Sequence, residues 1–154
     1  MEQGSATLEE LMLATDGSPG ALFAARWVRT HLTPDAWRVR LVTVVDPIGW
    51  TTKGLGLPYA VETPVDEQEV ARAQRSALEE TAAELGEAFV IHEEACRGDP
   101  VHVILDRVRD THPALLVVGH RGLRGLPGWV LGSVAKQLVA HSPVPTLVVP
   151  RANP

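Results

Sequence analysis

Gly119-His120-Arg121-Gly122, then nine residues, then Gly132-Ser133-Val134 has the composition of a loop that cradles an anion. It begins where the apolar run Ala114-Leu115-Leu116-Val117-Val118 stops, and ends where Val134, Leu138 and Val139 open a helical pattern. Glycine lets backbone N–H groups approach an anion with no Cβ in the way, and permits positive φ. The unpaired N–H groups and positive dipole end of the following helix then hold negative charge. The expected occupant is phosphate. Gly119, Gly122, Gly132 and Ser133 would be its donors, with His120 and Arg121 in reach.

A second strand end carries a polar group in a tight turn. Leu11-Met12-Leu13-Ala14-Thr15 runs into Asp16-Gly17-Ser18-Pro19. If both strands are parallel in one sheet, Asp16 and Gly119 share its carboxyl edge, where open α/β sheets bind ligands. A carboxylate there can accept hydrogen bonds from ribose hydroxyls or an exocyclic amine. Plainer roles stay open: Asp16 as a helix cap, Gly119 as a strand end, Gly132 as a helix start, Ser133 as an N-cap. Their joint occurrence favours the ligand. His31, His92, His102 and His112 make no metal-ligand spacing, and His141 falls in a last helical turn.

The elements that must position these residues alternate. A strand at Leu11–Thr15 leads to a helix capped by Ser18 with Pro19 at its first position. Val39–Val45 is nearly continuous in Val and Leu, as suits a strand covered on both faces. Pro47–Pro64 reads as a flexible loop or a variable insertion. Asp66–Leu85 reads as an alanine- and glutamate-rich helix ended by Gly86, and Ala88–Ala95 as a third strand. A helix opened by Asp99 and Pro100, the strand Ala114–Val118, the helix after Gly132 and a strand Pro145–Val149 follow. The order β-α-β-α-β-α-β-α-β predicts an open, Rossmann-like, mainly parallel sheet with helices on both faces.

The 154 residues suit one domain, able to bury roughly two-thirds of the unfolded surface. A net charge of −5 argues against nucleic acid or an anionic membrane as partner. Ten acids against two bases lie between Glu62 and Glu94, and three against seven between Arg97 and Arg151. The single cysteine, Cys96, excludes an intramolecular disulfide. Met1-Glu2-Gln3-Gly4 shows no basic signal region, and no apolar run nears the roughly 18 residues of a membrane span. The expectation is a cytoplasmic protein. No P-loop, no G-x-G-x-x-G after the first strand and no G-x-S-x-G elbow is present.

Gly119-x2-Gly122-x9-Gly132-Ser133 resembles the nucleotide motif of the universal stress protein family. The resemblance extends to Leu11–Ser18, Leu41–Asp46, Gly98-Asp99-Pro100 and Pro143–Val149, and lapses across Pro47–Pro64 and the acidic helix. It implies strand order 3-2-1-4-5 and a pocket for ATP or AMP between strands one and four; Mg2+ or Mn2+ with the phosphates is a separate expectation. Asp16 would lie near the ribose, and Ala14 and Val44 beside adenine. Gly119 and Gly122 would line ribose and phosphates, and Gly132, Ser133 and Val134 would bind phosphates. Leu126-Pro127-Gly128-Trp129 departs from the more usual basic or aliphatic spacer.

The expected function is adenine-nucleotide binding in a stress response, exerted through conformation or through a protein partner not named by the sequence. No general base with an orienting partner stands out. The alternatives are a slow ATPase or phosphotransferase, with Asp16, a divalent ion and His120, and a dimerisation module that binds nothing. The last strand, Val144–Val149, is apolar and at the edge the resemblance implies, so a homodimer through it is expected.

Overall fold

The computed structural model describes residues 7–47, 65–120 and 131–151. The order is β1 (Glu9–Thr15), α1 (Pro19–His31), β2 (Trp37–Val45), α2 (Glu67–Leu85), β3 (Ile91–Arg97), α3 (Pro100–Thr111), β4 (Leu115–Gly119), α4 (Ser133–His141) and β5 (Thr146–Val149). All four strand pairings are parallel, and the sheet runs β3-β2-β1-β4-β5. The topology is the expected one.

Local chemistry sets the boundaries. Ser18 Oγ accepts from Ala21 N–H at 3.3 Å and Pro19 fills the first helical position of α1. Asp66 caps α2 and Asp99 caps α3 through carboxylate oxygens. Gly86, at φ +83°, closes α2, a conformation L side chains rarely adopt. Alternation along the strands sends Leu11, Leu13, Val39, Leu41, Val117 and Val149 to the α1/α2 face. Met12, Val42, Leu116 and Val118 go to the other face, with Ile104, Leu105 and Val108 of α3 and Ala135 and Leu138 of α4.

One boundary moved. β3 starts at Ile91 instead of Ala88 because Phe89 drops into the core from a turn, leaving Val90 60% exposed. The Val90 carbonyl nonetheless accepts from Val39 N–H, which starts the pairing. The apolar run at 88–91 thus joins a core plug to a strand. Strands β1 and β2 begin two residues early, at Glu9 and Trp37, because their charged residues neutralise one another. Arg40 holds Glu10 through both carboxylate oxygens, at 2.7 and 3.2 Å, and also meets Glu94 of β3. Arg107 of α3 binds Glu94 with two bonds of 2.8 and 2.9 Å.

Burial pushes the Glu94 carboxyl up, but hydrogen bonds from Arg107 and Arg40 outweigh it and hold the group below its ordinary 4.5. A folded value below the unfolded one gives stability that is complete above about pH 4.5 and is lost as pH falls through the folded value. Urea midpoints measured from pH 6 down to 3 should therefore fall more steeply for the parent than for Glu94→Gln below pH 4.5. Parallel curves would remove Glu94 from the acid response.

Candidate functional site

β1 lies at the point where the chain's course across the sheet reverses: β2 and β3 lie to one side of it, β4 and β5 to the other. In such sheets the crevice for a ligand opens at the carboxyl ends of the strands flanking that point, here β1 and β4. Leu13 pairs with Val117, so two residues further along each strand come Thr15 and Gly119. Asp16 and His120 follow directly.

The β1–α1 turn is tightly made. Asp16 Oδ1 accepts from Ser18 N–H at 3.0 Å, and Thr15 Oγ1 accepts from Gly17 N–H at 3.1 Å. Gly17 sits at φ +73°, and a Cβ there would lie 3.2 Å from Cα and Cβ of Ala77 on α2. Asp16 does not cap α1; Ser18 does.

Gly119 has a different reason to be glycine from the one its motif suggests. Among the described residues, positive-φ glycines are Gly17, Gly86 and Gly98. A Cβ on Gly119 would lie 2.7 Å from C and O of Gly20 and 3.0 Å from N of Ala21. The glycine lets the α1 N-terminus press on the end of β4. His120 N–H then donates to the Val149 carbonyl at 3.0 Å, and the His120 carbonyl accepts from Gly132 N–H at 2.9 Å. That last bond ties the start of α4 to the end of β4.

Gly132, at φ −57°, is the N-cap of α4, and Ser133 is the first helical residue, not the cap. Without a side chain, Gly132 supplies no capping oxygen, whereas Ser18, Asp66 and Asp99 all do. The first turn of α4 carries no acid, while that of α2 has Glu67 and Glu69. Ser133 is exposed, and Val134 is 37% exposed. An anion placed against this terminus would meet backbone donors and the positive dipole end.

Ala14 and Val44 are partly buried at the carboxyl end of the face that packs α3 and α4, together with Leu131 just before α4. They give that edge an apolar floor. The structure therefore brings Ala14, Asp16, Val44, Gly119, Gly132, Ser133 and Val134 to one sheet edge. Gly122 and Arg121, the spacer Leu126–Trp129 and the segment 48–64 lie outside the described residues. Two buried threonines that no motif marks, Thr15 and Thr81, hold their hydroxyls 2.7 Å apart behind the Asp16 turn. The available signal was a polar residue at a core-facing position of α2, in register with Val70, Ala77, Leu78 and Leu85.

Among the described residues no group of three or more His, Cys, Asp or Glu is placed to hold a metal. The two His–carboxylate contacts among them, His92 with Glu94 and His102 with Asp106, lie on β3 and α3. No helix among them is long and apolar enough to cross a membrane.

Comparison with known proteins gives the same architecture. A structure described as a structure-based functional assignment of the hypothetical protein MJ0577 superposes with a TM-score of 0.77 at 24% identity, covering 95% of this chain and 98% of that one. A universal stress protein family protein from Arabidopsis thaliana, At3g01520 with AMP bound, gives 0.65 at 21% identity, covering 94% and 92%. Universal stress protein Rv1996 of Mycobacterium tuberculosis (strain ATCC 25618 / H37Rv) is 27% identical over 154 residues, which cover 91% of this chain. The chain spans about half of that relative, 47% of its length. The model of the universal stress protein family matches residues 8–150, from the start of the β1 region to the end of β5, and this chain belongs to that family.

Proposed function

We propose that this chain binds an adenine nucleotide, ATP or AMP, at the carboxyl edge between β1 and β4. It then acts through nucleotide-dependent conformation or partner choice in a cytoplasmic stress response. The observation that carries the reading is the start of α4: an N-terminus without a side-chain cap, tied by Gly132 N–H to the end of β4. Phosphates would lie against Gly132, Ser133 and Val134. Asp16 would take the ribose, and Ala14 and Val44 the adenine. The AMP bound to the Arabidopsis relative supports the choice of base. The phosphates could bring Mg2+ or Mn2+ with them; among the described residues, Asp16 after β1 and Asp46 after β2 are carboxylates at this edge.

The test is direct. Mass spectrometry of the denatured protein should release an adenine nucleotide, and calorimetry on stripped protein should give micromolar affinity for ATP, about −8 kcal/mol. Equal affinity for GTP would remove the adenine floor. Turnover of ATP should stay far below the roughly 1 s⁻¹ of slow ordinary enzymes. Sustained hydrolysis near that rate, abolished by His120→Ala, would make the protein an enzyme.

We also propose a homodimer joined through Val144–Val149. β5 is an edge strand of the sheet, and an apolar edge left open invites pairing. Leu116 N–H and His120 N–H donate to the carbonyls of Pro145 and Val149, so the odd residues of β5 face β4. By alternation, the backbone groups of Thr146 and Val148 face the open edge. Val149 itself is 2% exposed and belongs to the core, so changing it would confuse folding with assembly. Val148→Pro removes an edge N–H at a side chain only partly buried against the α3/α4 face, and circular dichroism checks that the fold is kept. Light scattering at micromolar concentration should give a dimer for the parent and a monomer for Val148→Pro; a dimer in both would rule out edge pairing.

A further inference from the structure

Thr81 lies in the last part of α2, fully buried at 0% exposure, and is none of the residues assigned to the nucleotide. Its hydroxyl nevertheless belongs to a chain of hydrogen bonds that ends in the turn carrying Asp16. The ends of the chain fix its direction. The Ala77 carbonyl can only accept, so Thr81 donates its proton there, at 2.6 Å. A hydroxyl has one proton, so Thr81 Oγ1 must accept from Thr15, at 2.7 Å. Thr15 has then used its own proton, and its Oγ1 accepts from Gly17 N–H at 3.1 Å. One residue on, Ser18 N–H donates to Asp16 Oδ1 at 3.0 Å.

The same turn is pressed on α2 sterically. Gly17 stands at φ +73°, with Ala77 only 3.2 Å from where a Cβ would be. Ala77 is both the residue that Gly17 touches and the acceptor at the far end of the relay. Removing the Thr81 hydroxyl would leave the Thr15 proton without its buried acceptor. Thr15 would then have to rotate to find another, and Gly17 N–H would lose its partner.

We propose that Thr81 is a positioning residue for the nucleotide site: through Thr15 it holds the Asp16–Gly17–Ser18 turn so that the Asp16 carboxylate meets the ribose hydroxyls. This rests on the nucleotide reading above. Its consequence is specific to the sugar. Thr81 should govern how strongly the site prefers a nucleotide with ribose hydroxyls over one without them, and hardly affect the hold on base and phosphates.

Calorimetry with ATP and 2′,3′-dideoxy-ATP on the parent, Thr81→Val and Thr81→Ser tests it. Thr81→Val keeps the shape and removes the hydroxyl; Thr81→Ser keeps the hydroxyl. The parent should prefer ATP by about tenfold or more, the size of one hydrogen bond to a charged group. Thr81→Val should cut that preference to about twofold while dideoxy-ATP affinity holds, and Thr81→Ser should restore it. An unchanged preference in Thr81→Val, an equal loss for both nucleotides, or no rescue by serine would each overturn the proposal. A parent that binds neither nucleotide would instead overturn the nucleotide reading, and this inference with it. If Thr81→Val fails to fold, nuclear magnetic resonance on the parent decides. A resolved Thr15 hydroxyl proton close to Thr81, with a protected Gly17 amide, supports the relay; rapid exchange of both overturns it.

Discussion

Gly119→Ala should lower the stability of the folded chain by about 3 kcal/mol, the upper part of the range for forcing a methyl group into packed structure. The added Cβ would stand 2.7 Å from C and O of Gly20. Those are backbone atoms in the first turn of α1, fixed by the Ser18 cap and by Ala21, Ala24, Ala25 and Val28 in the core. No flexible side chain can swing aside, so helix and strand must separate. For a domain of this size, a loss of about 3 kcal/mol lowers the melting temperature by roughly 6–12 °C, easily read by circular dichroism. A shift under about 2 °C would mean that the α1 N-terminus yields at little cost. The loss should occur with or without nucleotide, because the clash lies within the protein.

Gly132→Val should do the opposite: leave the fold in place and weaken ATP binding about 10- to 100-fold. Gly132 has φ −57° and ψ 149°, an extended backbone that valine can adopt, so the backbone conformation itself does not require glycine. What changes is the approach to the N-terminus of α4, where a branched side chain would stand beside the donors offered to phosphate. Loss of one charge-assisted hydrogen bond is worth about 1.5–3 kcal/mol, which gives that range of affinity. Native circular dichroism with parent-like ATP affinity would sink the phosphate assignment. Gly119 and Gly132, two of the motif's three glycines, are thus expected to separate in their effects, the first through packing and the second through the proposed ligand.

That division marks how far residue types and spacing could be read. Caps and breakers were legible because their chemistry is local: Ser18 with Pro19, Asp66, Gly86 and Asp99 each act within a few residues. The topology followed from strict alternation of strands and helices, with its order implied by the family resemblance. The start of β3 was misread because Phe89 is apolar for the core and not for the sheet, a distinction that only the tertiary packing makes. Gly119 was legible as a glycine but not for its reason, since Gly20 approaches it from almost a hundred residues away in sequence. The Thr15–Thr81 contact was hidden for the same cause, joining residues far apart in the chain. The candidate residues Asp16, Gly119, Gly132 and Ser133 came from their types and spacing, and Ala14, Val44 and Val134 from the family resemblance, while the contacts behind the Asp16 turn are long-range.

The central position of β1 has a consequence for the chain as it leaves the ribosome. Leu11 pairs on one side with Val39 and on the other with Leu115. At about 5–20 residues per second, the second partner emerges roughly 4–15 s after the first. During that interval β1, β2 and β3 can form a half-sheet in which β1 has one bare flank, and the β4-facing backbone groups of Glu10, Met12 and Ala14 have no partner on β4. Unpaired strand flanks template contacts with other chains. Until Leu116, Val117 and Val118 arrive, the nascent polypeptide can therefore present a more adhesive flank than the finished protein does.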